Sequence, residues 1–250
     1  MKKQTGYNLI ELMIAIVMGL IIIAATVTIY ISTIKANADI INSARLGHDL
    51  DSALALMVND IRRAGYWGEA KVGSDSRDNP FTDNATNLQF PSSGCVLYSY
   101  DADADGIVDA NEYYGFRLNA GNIQMRSSNI DCDANGWNTF NVSQGSEQVE
   151  VTNLTFTQSF KCLRKRVGLN PDQSYVIPDT GTCATAAATA GSPLVSGDRV
   201  IETREITIKI AGHVKNDPTV TKNISVNEDA DEEIENNRVK IRNDRVYMYP

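Results

Sequence analysis

Residues 101–112 read DADADGIVDANE, the densest run of potential ligands in the chain. Asp101, Asp103, Asp105, Gly106, Asp109 and Glu112 take positions 1, 3, 5, 6, 9 and 12 of the twelve-residue EF-hand loop, and Ile107 offers a backbone carbonyl at position 7. The spacing is chemical: alternate carboxylates converge on a hard cation, glycine allows the sharp turn, and the last glutamate closes the shell. The ion this pattern selects is Ca2+. The flanks CVLYSY and EYYGFRL alternate as strands do, so the loop should top a β-hairpin and has no paired helices to open as a switch. The plainer alternative is an Asp-rich solvated turn held by side-chain-to-backbone hydrogen bonds.

A second acid stands where acids are costly. From Leu9 to Ile34 the chain has one carboxylate, Glu11, no base and no proline. Roughly 20 apolar residues cross a bilayer core of about 30 Å, so this run is long enough to span. A carboxylate in hydrocarbon costs about 2.5–3.5 kcal/mol on insertion scales, and something should offset it. The leader MKKQTG carries Lys2 and Lys3, which favour the cytoplasmic side and place the following chain outside the inner membrane. An ordinary secretory signal has its small-residue cleavage site after the apolar core. Here the small residue, Gly6, precedes it, so cleavage there would leave the whole apolar helix on the mature chain.

Cys95, Cys132, Cys162 and Cys183 all lie in the exported part, and an even count in an oxidising compartment reads as two disulfides. Three pairings are open. The preferred one joins Cys95 to Cys132, bracketing the acidic hairpin, and Cys162 to Cys183, tying the base of an alanine-rich stretch. Zinc is not implied, because C-x-x-C is absent and only His48 and His213 are available. KCLRKRVG, residues 161–168, gathers Lys161, Arg164, Lys165 and Arg166; it reads as a solvated loop, with DNA or an acidic neighbour as the sharper alternative. The formal charge is −8, and without Lys2 and Lys3 it is −10, which does not describe a general nucleic-acid-binding surface. The sequence carries no nucleophile elbow, phosphate loop or H-E-x-x-H, so an enzyme is not the reading.

The elements that position these residues follow from periodicity. Tyr7 to Ala64 contains no proline and only Gly19 and Gly47 as weak points. One continuous helix is expected, on the order of 85 Å long at 1.5 Å per residue. Its first half is apolar all round. In its second half Leu50, Leu54, Met57, Ile61 and Ala64 recur at spacings of four and three, while Asp49, Asp51, Asn59, Asp60 and Arg62 lie off that stripe. Arg62 and Arg63 suit the negative end of the helix, and Gly65 supplies a left-handed stop. After Gly68 come short β-rich runs: VLYSY, EYYGFRL, VEVTNLTFTQSF, REITIKIAGHV, TVTKNISV and RVKI. The stretches 72–87 and 179–197 read as loops, the latter alanine-rich and of low complexity.

KKQTG followed by YNLIELMIAIVMGL resembles the class III signal of type IV pilins and pseudopilins: Gly6 before the cut, an aromatic Tyr7 as new N-terminus, and Glu11 at the fifth mature position. Tyr7 departs from the usual phenylalanine. Within that superfamily, LMVNDIRRAGYWG is similar to the helix end of PilW-type minor pilins, and RVKIRN is similar to their last strand. Major pilins usually carry a proline where this chain has Thr28, a departure that favours a minor subunit.

The resemblance implies an α+β, type IV pilin-like fold, with a long N-terminal helix packed on an antiparallel β-sheet head in a lollipop shape. It divides the chain into a leader, 1–6; a transmembrane and filament-core helix, 7–34; an amphipathic helix, 35–64; and a β-rich head, 65–250. It further implies cleavage by a prepilin peptidase after Gly6, methylation of the Tyr7 amine, and storage in the inner membrane with the head in the periplasm. Assembly with the major pilin and other minor pilins would follow, near a pilus tip that carries an adhesin. Twitching motility, adhesion and DNA uptake are the functions such pili serve. Glu11 would then meet the new amine of Tyr7, its own or a neighbour's, and in the second case act as a docking handle. The bland alternative is that Glu11 snorkels to the headgroups. Two other functions stay open: a pseudopilin of a type II secretion system, and a DNA-binding competence module using the basic cluster, with direct DNA contact disfavoured by the acidity.

Overall fold

The computed structural model of the chain describes residues 8–68, 75–83, 85–140, 142, 149–166, 173–177, 181–226 and 239–250. Two compact units divide the chain after Arg45. The division falls inside a single helix, α1 (Leu9–Ile61).

In the first unit α1 is apolar on nearly every side from Leu9 to Ile34, with large side chains such as Leu9, Ile16, Ile22 and Ile31 exposed. The threonine hydroxyls in this stretch turn back on the helix. Thr26 donates to the carbonyls of Ile22 and Ile23, Thr28 to that of Ala24, and Thr33 to that of Ile29. Side chains that satisfy themselves on the preceding turn need no water, which suits a helix that is long and apolar enough to cross a membrane.

In the second unit the period changes the outcome. Leu50, Leu54, Met57, Ile61 and Ala64 are buried, the stripe expected from their spacing, and with Leu46 and Ala53 they join one core with Val96, Tyr98, Phe116, Ile123, Leu154, Phe156, Ile206, Ile208 and Ile210. Those partners come from two antiparallel sheets, where the sequence suggested one. The first contains, in order, β1 (Gln89–Ser92), β2 (Cys95–Ser99), β3 (Tyr113–Asn119), β4 (Asn122–Arg126) and β5 (Asn138–Phe140). The second is built on two long strands, β6 (Val149–Lys165) and β8 (Arg199–Val214), paired from Val149↔Val214 to Lys165↔Arg199. β7 (Gln173–Ile177) adds to β6; β9 (Asp217–Val226), β10 (Val239–Lys240) and β11 (Arg245–Met248) line the other edge of β8. β8 alternates buried and half-buried residues along most of its length. That period-2 pattern gives one face to the core.

The alanine-rich stretch differs from its reading as a loop. It contains α2 (Cys183–Thr189), started by a capping box in which Thr182 and Thr185 satisfy each other's backbone amides. Alanine is the best helix former, and burial of Ala187 with Leu194 and Val200 gives the short helix a face to pack. Cys162 is bonded to Cys183 and Cys95 to Cys132, so one bridge anchors α2 to β6 and the other anchors the loop after β4 to β2.

Candidate functional site

α1 ends where its carbonyls find outside partners. The amides of Arg63 and Ala64 tighten onto the carbonyls of Asp60 and Ile61, and Gly65, at φ 72°, turns the chain left-handed. Four carbonyls past the last turn would otherwise be orphans. Arg62 accepts from the amide of Arg242, Arg63 from the amide of Tyr66, Ala64 from Asn243 Nδ2 at 3.1 Å, and Gly65 from Asn79 Nδ2 at 2.9 Å. The two motifs noted separately in the sequence, RRAGYWG and RVKIRN, are thus bonded to each other: Arg242 and Asn243 finish the helix that Arg62–Gly65 end.

The same junction holds the acidic loop. Gly65 donates to the carbonyl of Ser99, and Asp101 donates its amide to the carbonyl of Tyr66 at 3.0 Å. Asp101 Oδ2 accepts from the amides of Gly68 at 2.9 Å and Gly106 at 3.0 Å. Gly68 is there for space: a β-carbon on it would lie 2.5 Å from Cβ of Ala104, closer than real contacts come. The last glycine of A-G-Y-W-G is therefore the floor on which the acidic loop rests.

The loop sits on the expected hairpin, with β2 and β3 in register from Cys95↔Arg117 to Ser99↔Tyr113. A carboxylate oxygen from each of Asp101, Asp103 and Asp105 lies within 4.8 Å of the other two. The remaining candidates do not join them. Glu112 is only 1% exposed, and it accepts from the amides of Ala102 at 2.6 Å and Asp109 at 3.0 Å, closing the loop onto its own backbone. Asp109 is exposed, and Ile107 has 64% of its surface in solvent. Ile107 donates its amide to Asp105 Oδ1 at 2.8 Å, and Asp105 donates its amide to Asp103 Oδ1 at 3.3 Å. These are the Asx bonds of the plainer reading, and they coexist with the convergence of the three aspartates.

Beside the loop lies a cluster that sequence reasoning missed. Asp60, which lies off the apolar stripe, accepts from the hydroxyls of Tyr98 and of Tyr100, the latter at 3.0 Å. Tyr100 stacks on Tyr114 with ring centroids 4.0 Å apart, and the Arg63 guanidinium lies 3.9 Å above the Tyr100 ring. Burial first, then the Asp60 charge, pushes both hydroxyls well above the ordinary tyrosine range, so they remain donors. The signal was present in YSY: residues two apart on a strand share a face. What the sequence could not give was the acceptor, about 40 residues upstream.

The basic cluster is corrected by the fold. It lies mainly on β6 rather than in a solvated loop, with Arg164 buried on the same face as Cys162. Arg164 donates to Ser192 O at 2.8 Å and Ser192 Oγ at 2.9 Å; Lys161 pairs with Glu205 at 3.3 Å. Arg166 binds both oxygens of buried Asp198 at 2.6 Å, holding that carboxyl down at about 2. Three of the four cations brace the segment around Ser192–Asp198 and β8. Lys165 is exposed.

Glu11 is in the first turn of α1, three residues after Asn8, whose carbonyl accepts the Glu11 amide. Gly6 and Tyr7 lie outside the described residues.

Residues 39–228 match the family model described as PpdB, prepilin peptidase-dependent protein B. No curated protein and no solved structure matches the chain.

Proposed function

The chain belongs to the prepilin peptidase-dependent protein B family, and from that membership we propose that it is a PilW-like minor pilin of a type IV pilus. One observation carries the reading. The family match begins at residue 39, beyond the apolar run, so it is independent of the leader pattern in residues 1–20 that resembles a prepilin signal. Two separate stretches of one chain lead to the same class of protein.

On this reading a prepilin peptidase cuts after Gly6, Tyr7 becomes the methylated N-terminus, and residues 7–34 wait in the inner membrane with the head in the periplasm. An apolar helix whose threonines are satisfied internally suits both hydrocarbon and the packed core of a filament. Assembly then places this subunit with the major pilin and other minor pilins in an initiation complex at the tip, where an adhesin is a further partner. The head serves as a contact surface, and the chain is a structural subunit rather than an enzyme. Direct DNA contact through residues 161–166 is disfavoured, since most of those cations already hold partners within the head.

The test is deletion of the gene with surface pili, transformation and exoprotein release scored in one strain. Loss of surface pili and twitching with exoprotein release intact is expected. Lost secretion with normal pili would assign the chain to a secretion pseudopilus instead.

A further inference from the structure

We propose that the hairpin loop binds one calcium ion through Asp101, Asp103 and Asp105, and that the ion braces the exit of α1. Convergence of three carboxylates is not by itself a site, since exposed acids cluster without ions. The distinguishing observation is Asp101. This side chain is 1% exposed; its Oδ2 is taken by the amides of Gly68 and Gly106, and its Oδ1 is sealed from solvent with no donor among the described residues. A buried, unpaired carboxylate oxygen is costly, and a cation at the three-aspartate cluster supplies what it lacks.

The donor set chooses the ion. Only oxygen ligands are offered, with no imidazole or thiolate in the cluster, which selects a hard cation over zinc or copper. Oxygens within 4.8 Å of one another can share a calcium ion, whose ligand distances of about 2.3–2.6 Å span that separation. Magnesium, at about 2.0–2.1 Å, demands near-ideal octahedral geometry and gives up its waters reluctantly, so it is usually held by only one or two carboxylates. Water and loop carbonyls complete the six to eight ligands calcium takes. Glu112 is then a positioning residue, its two oxygens holding the amides of Ala102 and Asp109 so that the loop starts and ends together. Because Asp101 also holds the Gly68 amide and the Tyr66 carbonyl, an ion there stiffens A-G-Y-W-G as well as the hairpin.

The experiment uses the full chain in detergent, with calcium or magnesium chloride added after chelation, read by thermal melting and by titration calorimetry. The comparison variant is Asp103→Asn with Asp105→Asn, which keeps the oxygens that accept the Asp105 and Ile107 amides and removes two charges. Loops in extracellular modules bind at about 10⁻⁴ to 10⁻³ M. About 10 mM calcium should therefore raise the wild-type melting temperature by about 3–10 °C. Calorimetry should give one site per chain, and the variant should show neither effect while melting normally without the ion. Three results would overturn the proposal: no calcium response in the wild type, a response kept by the variant, or an equal response to magnesium. The second would locate binding elsewhere, for instance in the acidic run at 228–235. The third would mark screening of an acidic body.

Discussion

Replacing Glu11 by leucine is expected to remove the chain from sheared surface filaments while leaving it folded in the inner membrane. Leucine suits hydrocarbon better than glutamate, so insertion should improve by about 2.5–3.5 kcal/mol. If anchoring were the only role of residues 7–34, the variant would be the better protein. The proposed role is a pairing made on docking with the amine of Tyr7, and truncating one partner of a desolvated charge pair costs about 2–5 kcal/mol, about a thirtyfold or larger loss in assembly. A third role has to be separated. Glu11 is in the first turn of α1, three residues after Asn8, where a carboxylate favours the helix start by about 0.3–1 kcal/mol. Glutamine can still hydrogen-bond back to the helix start but removes the charge, so at most about 0.3–1 kcal/mol of its effect is local. Glu11→Gln should therefore fail to assemble nearly as badly as Glu11→Leu, as read by the subunit's share in filaments against membranes. Normal incorporation of both variants would leave Glu11 without a docking role.

Asp60→Ala should lose about 2–5 kcal/mol of head stability in denaturant unfolding of the full chain in detergent. The aspartate accepts from two tyrosine hydroxyls, and each donor left buried without an acceptor costs about 1–3 kcal/mol. Its pair with Arg63, at 3.6 Å and partly exposed, adds little. The cause can be isolated, because removing both sides of a buried hydrogen bond is far milder than removing one. In a Tyr98→Phe, Tyr100→Phe background, Asp60→Ala should cost less than about 1 kcal/mol, the remainder being interaction energy. A single variant that loses less than about 1 kcal/mol would mean that water reaches the two hydroxyls and the cluster is not sealed.

What could be read from the sequence was whatever repeated locally. Leu50, Leu54, Met57 and Ile61 announced the buried face of α1 by spacing alone, and the runs around 96–100 and 112–118 announced the hairpin. Features fixed by long-range partners could not be read. Arg164 appeared solvated because it is charged, yet its strand period puts it inside with Cys162, and its acceptor Ser192 comes 28 residues later. β4, β5 and β11 are short or largely polar and owe their conformation to neighbours rather than to pattern. α2 was legible in principle: a threonine ahead of an alanine-rich run is a helix start, hidden by the low complexity of the stretch. At the acidic loop the spacing of the aspartates was visible, whereas Glu112 turns inward onto the Ala102 and Asp109 amides, and Asp101 is held by Gly68 at the helix exit.

Whether this chain is a pilin subunit whose apolar helix stays on after processing can be read by mass spectrometry of the protein recovered from sheared surface filaments. A mature chain that begins at Tyr7 with a methylated amine and retains residues 9–34 is expected. Recovery only from membranes with Met1 still in place, or as a soluble chain cut after the apolar run, would contradict it.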